Sequence, residues 1–108
     1  MEYRKVVAIL RGSVLEKVEE RLKELGVSGV SVSQVKGYGE YANFYKSDWM
    51  VTHARVEIFS VKSKVDEIVS AIIETAHVGI PGDGIVGVLP VEKLYRIRTR
   101  SEVSGDEI

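Results

Sequence analysis

The sequence predicts an α+β fold in which two helices cover one face of an antiparallel sheet. Two segments carry apolar residues at helical spacing, one after Arg11-Gly12 and one after Ser63. The other regular segments are short and rich in β-branched and aromatic residues, which is typical of strands. Their order along the chain is β-α-β-β-α-β, followed by a short terminal strand.

The first strand and helix are predicted from the residues before Gly26. Lys5 to Leu10 form a nearly continuous apolar run, typical of a strand buried on both faces. Ser13 and Glu16 have the spacing of a capping box, which predicts the start of the first helix. The apolar stripe of this helix consists of Val14, Leu15, Val18, Leu22 and Leu25. Gly26 stands where a glycine commonly ends a helix.

The middle of the chain predicts two strands joined by an irregular loop. Val30, Val32 and Val35 alternate with polar residues, which indicates a half-buried strand. Val51 to Val61 return to strand character after a stretch with no clean period.

The second helix begins near Ser63. Its apolar stripe consists of Val65, Ile68, Val69, Ile72, Ile73 and Ala76. The glycine- and proline-rich residues 79–84 break the helix. Ile85 to Leu89 and Tyr95 to Arg98 predict two further strands, and Ser101 to Ile108 form a polar tail that we expect a partner or ligand to order.

The whole chain, 1–108, is therefore predicted to be one domain with a ferredoxin-like sandwich. A chain of 108 residues with 44% hydrophobic residues is long enough for one core and too short for two. Because the helices cover only one face of the sheet, we expect other copies of the chain to cover the second face.

Composition argues against several classes of function. The formal net charge of −1 gives no basis for broad contact with a phosphate backbone, so we expect no nucleic-acid partner. The absence of cysteine excludes disulfides, thiol catalysis and cysteine-bound zinc. The N-terminal apolar stretch is too short for a membrane span and lacks a cleavage site, so we expect a cytoplasmic protein.

Two motifs in the predicted loops resemble the PII family of signal-transduction proteins. Residues 26–39, which include Val32 to Gly39, resemble the strand that leads into the family's T-loop, here residues 37–52. Gly82-Asp83-Gly84 resembles the glycine-rich B-loop that follows the second helix, here residues 79–84.

Two further motifs near the C-terminus carry the same resemblance. Arg96-Ile97-Arg98-Thr99 resembles the family's arginine-x-arginine-threonine strand, and residues 103–108 resemble its acidic tail. Residues 99–108, which begin at the last residue of the arginine motif and include the acidic tail, are the C-terminal segment. Four motifs in the right order make the resemblance specific.

The resemblance implies a regulatory homotrimer, not an enzyme. In this family ATP or ADP binds in three clefts between subunits, and the T-loop reports the bound effector to a membrane transporter or a metabolic enzyme. Carried over residue by residue, the resemblance implies nucleotide-binding roles for Ile9, Ser31, Gly37, Tyr38, Gly39, Ala54, Gly82, Asp83, Gly84, Arg96 and Arg98. Glycines permit close backbone approach, and successive N–H groups form anion nests. The two arginines alternate on the predicted strand and so point to one side.

The aromatic residues of the T-loop are predicted to bind a partner, since exposed aromatic side chains anchor interfaces. They are Tyr41, Phe44, Tyr45 and Trp49. Packing of these side chains onto the sheet or a neighbouring copy is an equally open interpretation. Tyr45 lies near the tyrosine that some family members have uridylylated, but its neighbours differ, which favours an ordinary loop tyrosine.

Departures from the family pattern narrow the expected ligand. Ile85 replaces the usual lysine after the B-loop, and Glu40-Tyr41 replaces an arginine-glutamine pair. The glutamine of that pair helps to hold Mg²⁺ and 2-oxoglutarate in typical members. These changes favour an adenine nucleotide (ATP, ADP or AMP) bound without Mg²⁺ or 2-oxoglutarate.

Plainer interpretations of the same residues stay open. Gly82-Asp83-Gly84 is also a common turn sequence stabilised by its aspartate, and the two arginines would suit a solvated edge strand. His53 and His77 lack further ligands at metal spacing, so we expect no metal site and no catalysis. The alternative function is a ligand-independent interaction module on the same trimer. A third is an acylphosphatase-like enzyme, supported loosely by Arg11-Gly12-Ser13 and Asn43.

Overall fold

The computed structural model describes residues 1–37 and 51–104. Its strands and helices, in chain order, are β1 (Tyr3–Leu10), α1 (Leu15–Glu24), β2 (Ser31–Gly37), β3 (Val51–Val61), α2 (Val65–Ala76), β4 (Gly84–Val91), β5 (Tyr95–Arg96) and β6 (Ser101–Glu102). A short 3₁₀ turn precedes each helix, at Gly12–Val14 and Lys62–Lys64.

The four long strands form one sheet in the order β2-β3-β1-β4. Each neighbouring pair is antiparallel, and Leu10 at the end of β1 lies between Ala54 of β3 and Gly84 of β4. Both helices pack on one face of this sheet. The ferredoxin-like α+β prediction is therefore confirmed.

The core lies between the helices and one face of the sheet. Alternate residues of β1 point into it, and Val6, Ala8 and Leu10 are at most 1% exposed. Val7 and Ile9, which point the other way, are only half-buried. The prediction that β1 is buried on both faces is therefore wrong for a single chain, because no helix covers the second face, here called the open face.

The second helix shows where its apolar stripe meets the sheet. Ile72 is 1% exposed, whereas the adjacent Ile73 is 51% exposed. The predicted stripe was thus wider than the surface that packs, because a helix touches the sheet along a strip narrower than the apolar arc.

The sequence predicted the C-terminal end of α1 correctly but not its N-terminal end. The predicted capping box is absent: neither Arg11 before the 3₁₀ turn nor Val14 before the helix makes a side-chain capping bond. Instead the Val14 amide donates to the Arg11 carbonyl at 3.1 Å, which starts the chain turning. Gly26 ends the helix with a φ of +84°, as predicted.

The C-terminal hairpin, β5 and β6, covers one end of the open face. Val103 packs with Tyr3 and Val61, and the Tyr3 hydroxyl donates to the Val103 carbonyl at 2.6 Å. The Val103 amide donates to the Leu94 carbonyl at 2.9 Å. The expectation that the chain needs a partner to order it from Ser101 onward is thus wrong up to Val103.

The predicted strand Tyr95–Arg98 is shorter than expected. It ends at Arg96, and residues 97–100 form a turn in which Arg100 has a φ of +57°. Within the two described ranges, no helix has both the length and the apolar character needed to cross a bilayer.

Candidate functional site

The B-loop lies directly against the end of β1. A Cβ atom on Gly84 would stand 1.8 Å from the carbonyl oxygen of Ile9 and 2.9 Å from its carbonyl carbon. The φ of Gly84 is +107°, a backbone conformation that side-chain-bearing residues rarely adopt. Only glycine therefore allows the loop to enter β4 at this point.

The carboxylate of Asp83 holds the B-loop folded. Its Oδ2 accepts hydrogen bonds from the Gly79 amide at 2.8 Å and the Val78 amide at 3.1 Å. Its Oδ1 is paired with the guanidinium of Arg11, whose Nη2 also donates to the Pro81 carbonyl at 2.9 Å. Asp83 thus has the turn-stabilising role that was one of its two interpretations, and its carboxylate faces the loop interior.

These contacts lower the pKa of the Asp83 carboxyl group from 3.8 to about 2. The largest cause is the hydrogen bond from the Gly79 amide, and Arg11 and the Val78 amide act in the same direction. The carboxylate is therefore ionised at neutral pH and under moderately acidic conditions.

A pH-dependent contribution to stability is expected from this group. Because the folded pKa lies below the unfolded one, the contribution is complete above about pH 4 and is lost as the pH falls through about 2. Urea unfolding of the wild type and Asp83→Asn between pH 7 and pH 2 measures it. The gap between their unfolding free energies is expected to be constant from pH 7 to pH 5 and to narrow below pH 4. A gap that stays constant down to pH 2 would contradict the assignment.

The start of the T-loop lies at the same end of the sheet as the B-loop. Gly37 is the last residue of β2 and pairs with Val51. Since β2 and β4 are the two edges of the sheet, Gly37 and Gly84 are three strand spacings apart, about 14 Å. Gly37 also lies three residues, about 10 Å, further along the strand direction, because Gly84 is level with Gln34. Tyr38 and Gly39 lie outside the described residues, so their predicted ligand contacts remain predictions.

Two of the predicted ligand residues share the open face, and a third does not. Ile9 and Ser31 both point to the open face, as the strand register shows. Ala54 is 5% exposed and belongs to the core on the opposite face. The Ala54 side chain therefore points away from the open face, and its implied role near the adenine stays a prediction.

The arginine motif lies far from the B-loop within one chain. Arg96 and Ile97 line a groove with Phe59, whose strand partner is Lys5. Lys5 and Leu10 are five residues apart on β1, which is about 17 Å. The B-loop and the arginines therefore do not meet in a single chain.

The predicted alternation of the two arginines on one strand is also wrong. Only Arg96 belongs to β5, and Arg98 lies in the turn that follows. The strand ends early because Thr99 and Arg100 bend back, with the Arg100 amide donating to the Ile97 carbonyl at 3.2 Å.

The histidines and the first turn give no support for catalysis. His53 is buried, and His77 lies with its Nδ1 3.5 Å from Asp83 Oδ2. Among residues 1–37 and 51–104 there is no group of three or more side chains suited to hold a metal ion. Arg11, the candidate phosphate ligand of the acylphosphatase interpretation, is engaged by Asp83 and Pro81. Asn43 and the four T-loop aromatic residues lie outside the described residues.

The sequence did not predict the role of Arg11, which is to bind Asp83 and Pro81 and so hold the B-loop. Arg11 lies 72 residues from Asp83, so no local pattern could have paired them.

Comparison with known proteins identifies the family. The family model described as "Nitrogen regulatory protein P-II" matches residues 3–101. The chain belongs to this family. A P-II protein of Azospirillum brasilense is 35% identical and is covered over 99% of its length by 97% of this chain. Nitrogen regulatory protein P-II 1 of Escherichia coli is 36% identical, with 92% of this chain and 95% of the relative covered.

A solved structure of the same family shares the fold. The crystal structure of Arabidopsis thaliana PII bound to citrate matches with a TM-score of 0.80 and 35% identity, over 94% of this chain and 85% of that one. The chain is therefore a PII-family signal-transduction regulator and not an enzyme, and the acylphosphatase interpretation is set aside.

Proposed function

We propose that the protein binds an adenine nucleotide in clefts between the subunits of a homotrimer and uses its T-loop to control a transporter or a metabolic enzyme. The observation that carries the proposal is the B-loop, in which Gly84 brings main chain into contact with β1 at the end of the sheet where the T-loop begins. Main chain of this kind can approach a phosphate closely because no side chain intervenes.

The separation of the motifs within one chain supports a site made by two subunits. Arg96 and Ile97 lie beside Phe59, whose partner Lys5 is about 17 Å along β1 from the end that meets the B-loop. One ligand therefore reaches both motifs only if different copies supply them. The open face favours the same arrangement. Phe59 and Leu89 there are 48% and 47% exposed, and association with other copies would cover them.

The residues near the B-loop favour a nucleotide bound without Mg²⁺ or 2-oxoglutarate. Ile85 follows Gly84, is 51% exposed and pairs in register with Ile9, so this position offers an apolar surface in place of a cation. The positive charge of Arg11 is already paired with Asp83. ADP and AMP carry less charge than ATP, so they suit a site that offers an apolar surface and no unpaired cation at these two positions better.

The T-loop, residues 37–52, is the proposed partner-binding segment. Tyr41, Phe44, Tyr45 and Trp49 give it the amphipathic aromatic side chains that are enriched at protein interfaces. We place the regulator in the cytoplasm, where nucleotide concentrations change with metabolism.

Nucleotide binding is tested by calorimetry and thermal unfolding with ATP, ADP and AMP, each with and without Mg²⁺ and 2-oxoglutarate. A ligand at 100 times its Kd is expected to stabilise the folded state by about 2.7 kcal/mol, which raises the midpoint by several degrees. Light scattering is expected to give three times the 12.0 kDa mass of the chain.

The same experiment separates the proposal from its alternative. A ligand-independent interaction module would form the trimer and yet show no shift with any nucleotide at millimolar concentration. A monomeric mass would overturn the shared-cleft proposal itself, because the B-loop and the arginines could not then meet.

A further inference from the structure

We infer that Arg11 and Asp83 form a latch that sets the shape of the B-loop before ligand arrives, so that both are positioning residues for ligand binding. This inference rests on the proposed function, since it names how the ligand-binding loop is prepared. The family resemblance implied a nucleotide-binding role for Asp83; in this inference Asp83 and Arg11 act through the loop, because their charged groups already bind each other.

The latch joins the two ends of the loop to the end of β1. The Asp83 carboxylate receives the amides of Val78 and Gly79 at the start of the loop. Arg11, which directly follows β1, binds that carboxylate and the Pro81 carbonyl in the middle of the loop. One ion pair therefore fixes the loop at its beginning, its centre and its end.

The donor set around Asp83 is that of an anion site already filled by the chain. Two successive main-chain amides and a guanidinium surround one carboxylate, as they would surround a bound phosphate or carboxylate. The two amides and the guanidinium are therefore already bonded to Asp83 and are not available to a ligand. A ligand must be held by the main chain on the other side of the loop, around Gly82 and Gly84, and the latch determines where that main chain lies.

The charges near Asp83 come from three elements. Arg11 approaches from the end of β1, and the Val78 and Gly79 amides approach from the loop. His77, at the end of α2, lies 3.5 Å away and is 67% exposed. The carboxylate is thus held by Arg11 and the two amides, and His77 lies on the solvent side.

A latched loop binds its ligand with less loss of conformational entropy than a loose one. Ordering a loop on binding lowers the affinity, and an interaction that orders it beforehand removes this cost. Charge-assisted hydrogen bonds are strong enough for their loss to reduce affinity by about tenfold.

The test compares ADP binding by calorimetry in the wild type, Asp83→Asn, Arg11→Gln and the double variant. Each single variant is expected to bind ADP about tenfold more weakly. The double variant is expected to bind no more weakly than the weaker single variant, because the two residues act as one unit. Losses that multiply in the double variant would overturn the latch, since they indicate independent contacts with the ligand.

Amide hydrogen exchange supplies a readout that does not depend on ligand. The Val78 and Gly79 amides are expected to be protected in the unliganded wild type and to exchange at least tenfold faster in Asp83→Asn, while core amides of α2 keep their rates. Equal protection in the wild type and the variant would also overturn the inference. Arg11→Lys, which keeps the charge, is expected to restore part of the ADP affinity.

Arg21→Gln is the matched control. Arg21 is an exposed arginine paired with Glu24 at 3.2 Å on α1, away from the loop, and its loss is expected to leave ADP affinity unchanged. If the wild type binds no adenine nucleotide, the proposed function fails and the positioning role falls with it. If the wild type binds ADP and both latch variants bind it equally well, only the latch fails.

Discussion

Replacing Gly84 by alanine is expected to destabilise the folded protein by about 3 kcal/mol or more. The new methyl group would have to occupy a position 1.8 Å from the Ile9 carbonyl oxygen, and this neighbour is main chain of the central strand. The residue would also be held at a φ of +107°, which costs further energy for any residue with a side chain. Urea unfolding at a fixed protein concentration measures the loss.

The control for this substitution lies on the same strand. A Cβ on Gly87 would meet no heavy atom within 4 Å, and its backbone is not in the left-handed region. Gly87→Ala is expected to change stability by no more than about 1 kcal/mol. Similar losses for the two variants would show that the effect comes from adding a side chain to any glycine of β4 and not from the contact with β1.

Replacing Ile72 by alanine is expected to cost about 2 to 5 kcal/mol. Ile72 is 1% exposed and packs between α2 and the sheet, so the substitution removes buried methyl groups and leaves a cavity. Chemical denaturation gives the difference directly, and the slope of the free energy against urea should stay the same if the fold is retained.

Ile73→Ala provides a matched comparison on the next residue. Ile73 is 51% exposed, and alanine is the better helix former, so the two effects offset and the change is expected to stay within about 0.5 kcal/mol. If Ile73→Ala is as damaging as Ile72→Ala, then Ile73 is buried in the assembled protein, which would place the outer side of α2 in an interface between copies.

Most of the fold was predictable because periodicity records which side of each element is buried. The stripe of α2 and the stop at Gly26 identified both helices, and β-branched alternation identified the strands. The prediction of a capping box at Ser13 was wrong because, in the 3₁₀ turn, the Val14 amide donates to the Arg11 carbonyl and needs no side-chain partner. The predicted length of β5 was wrong because the turn that ends it has a positive φ at Arg100, and a positive φ at a non-glycine residue has no signal in the sequence.

The candidate site was predictable only where local motifs define it. Gly82 to Gly84 stood out as a loop motif, and Gly84 proved to need glycine. The role of Asp83 required its partner Arg11, which is distant in the sequence and close in space. The burial of Ala54 in the core could not be predicted, because the resemblance identifies a position on a strand without stating where its side chain points.

The central place of β1 in the sheet also determines what happens during synthesis. β1 lies between β3 and β4, so it is translated before both of its partners and gains the second one only after residues 84–91 have been made. The Tyr3 hydroxyl bonds to a carbonyl 100 residues later. Pairings so distant in sequence fold slowly, because the entropy of closing the chain is lost before the contacts form. A nascent chain therefore exposes an apolar strand with two open edges until β3 emerges and with one open edge until β4 emerges, and aggregation is most favoured in this period.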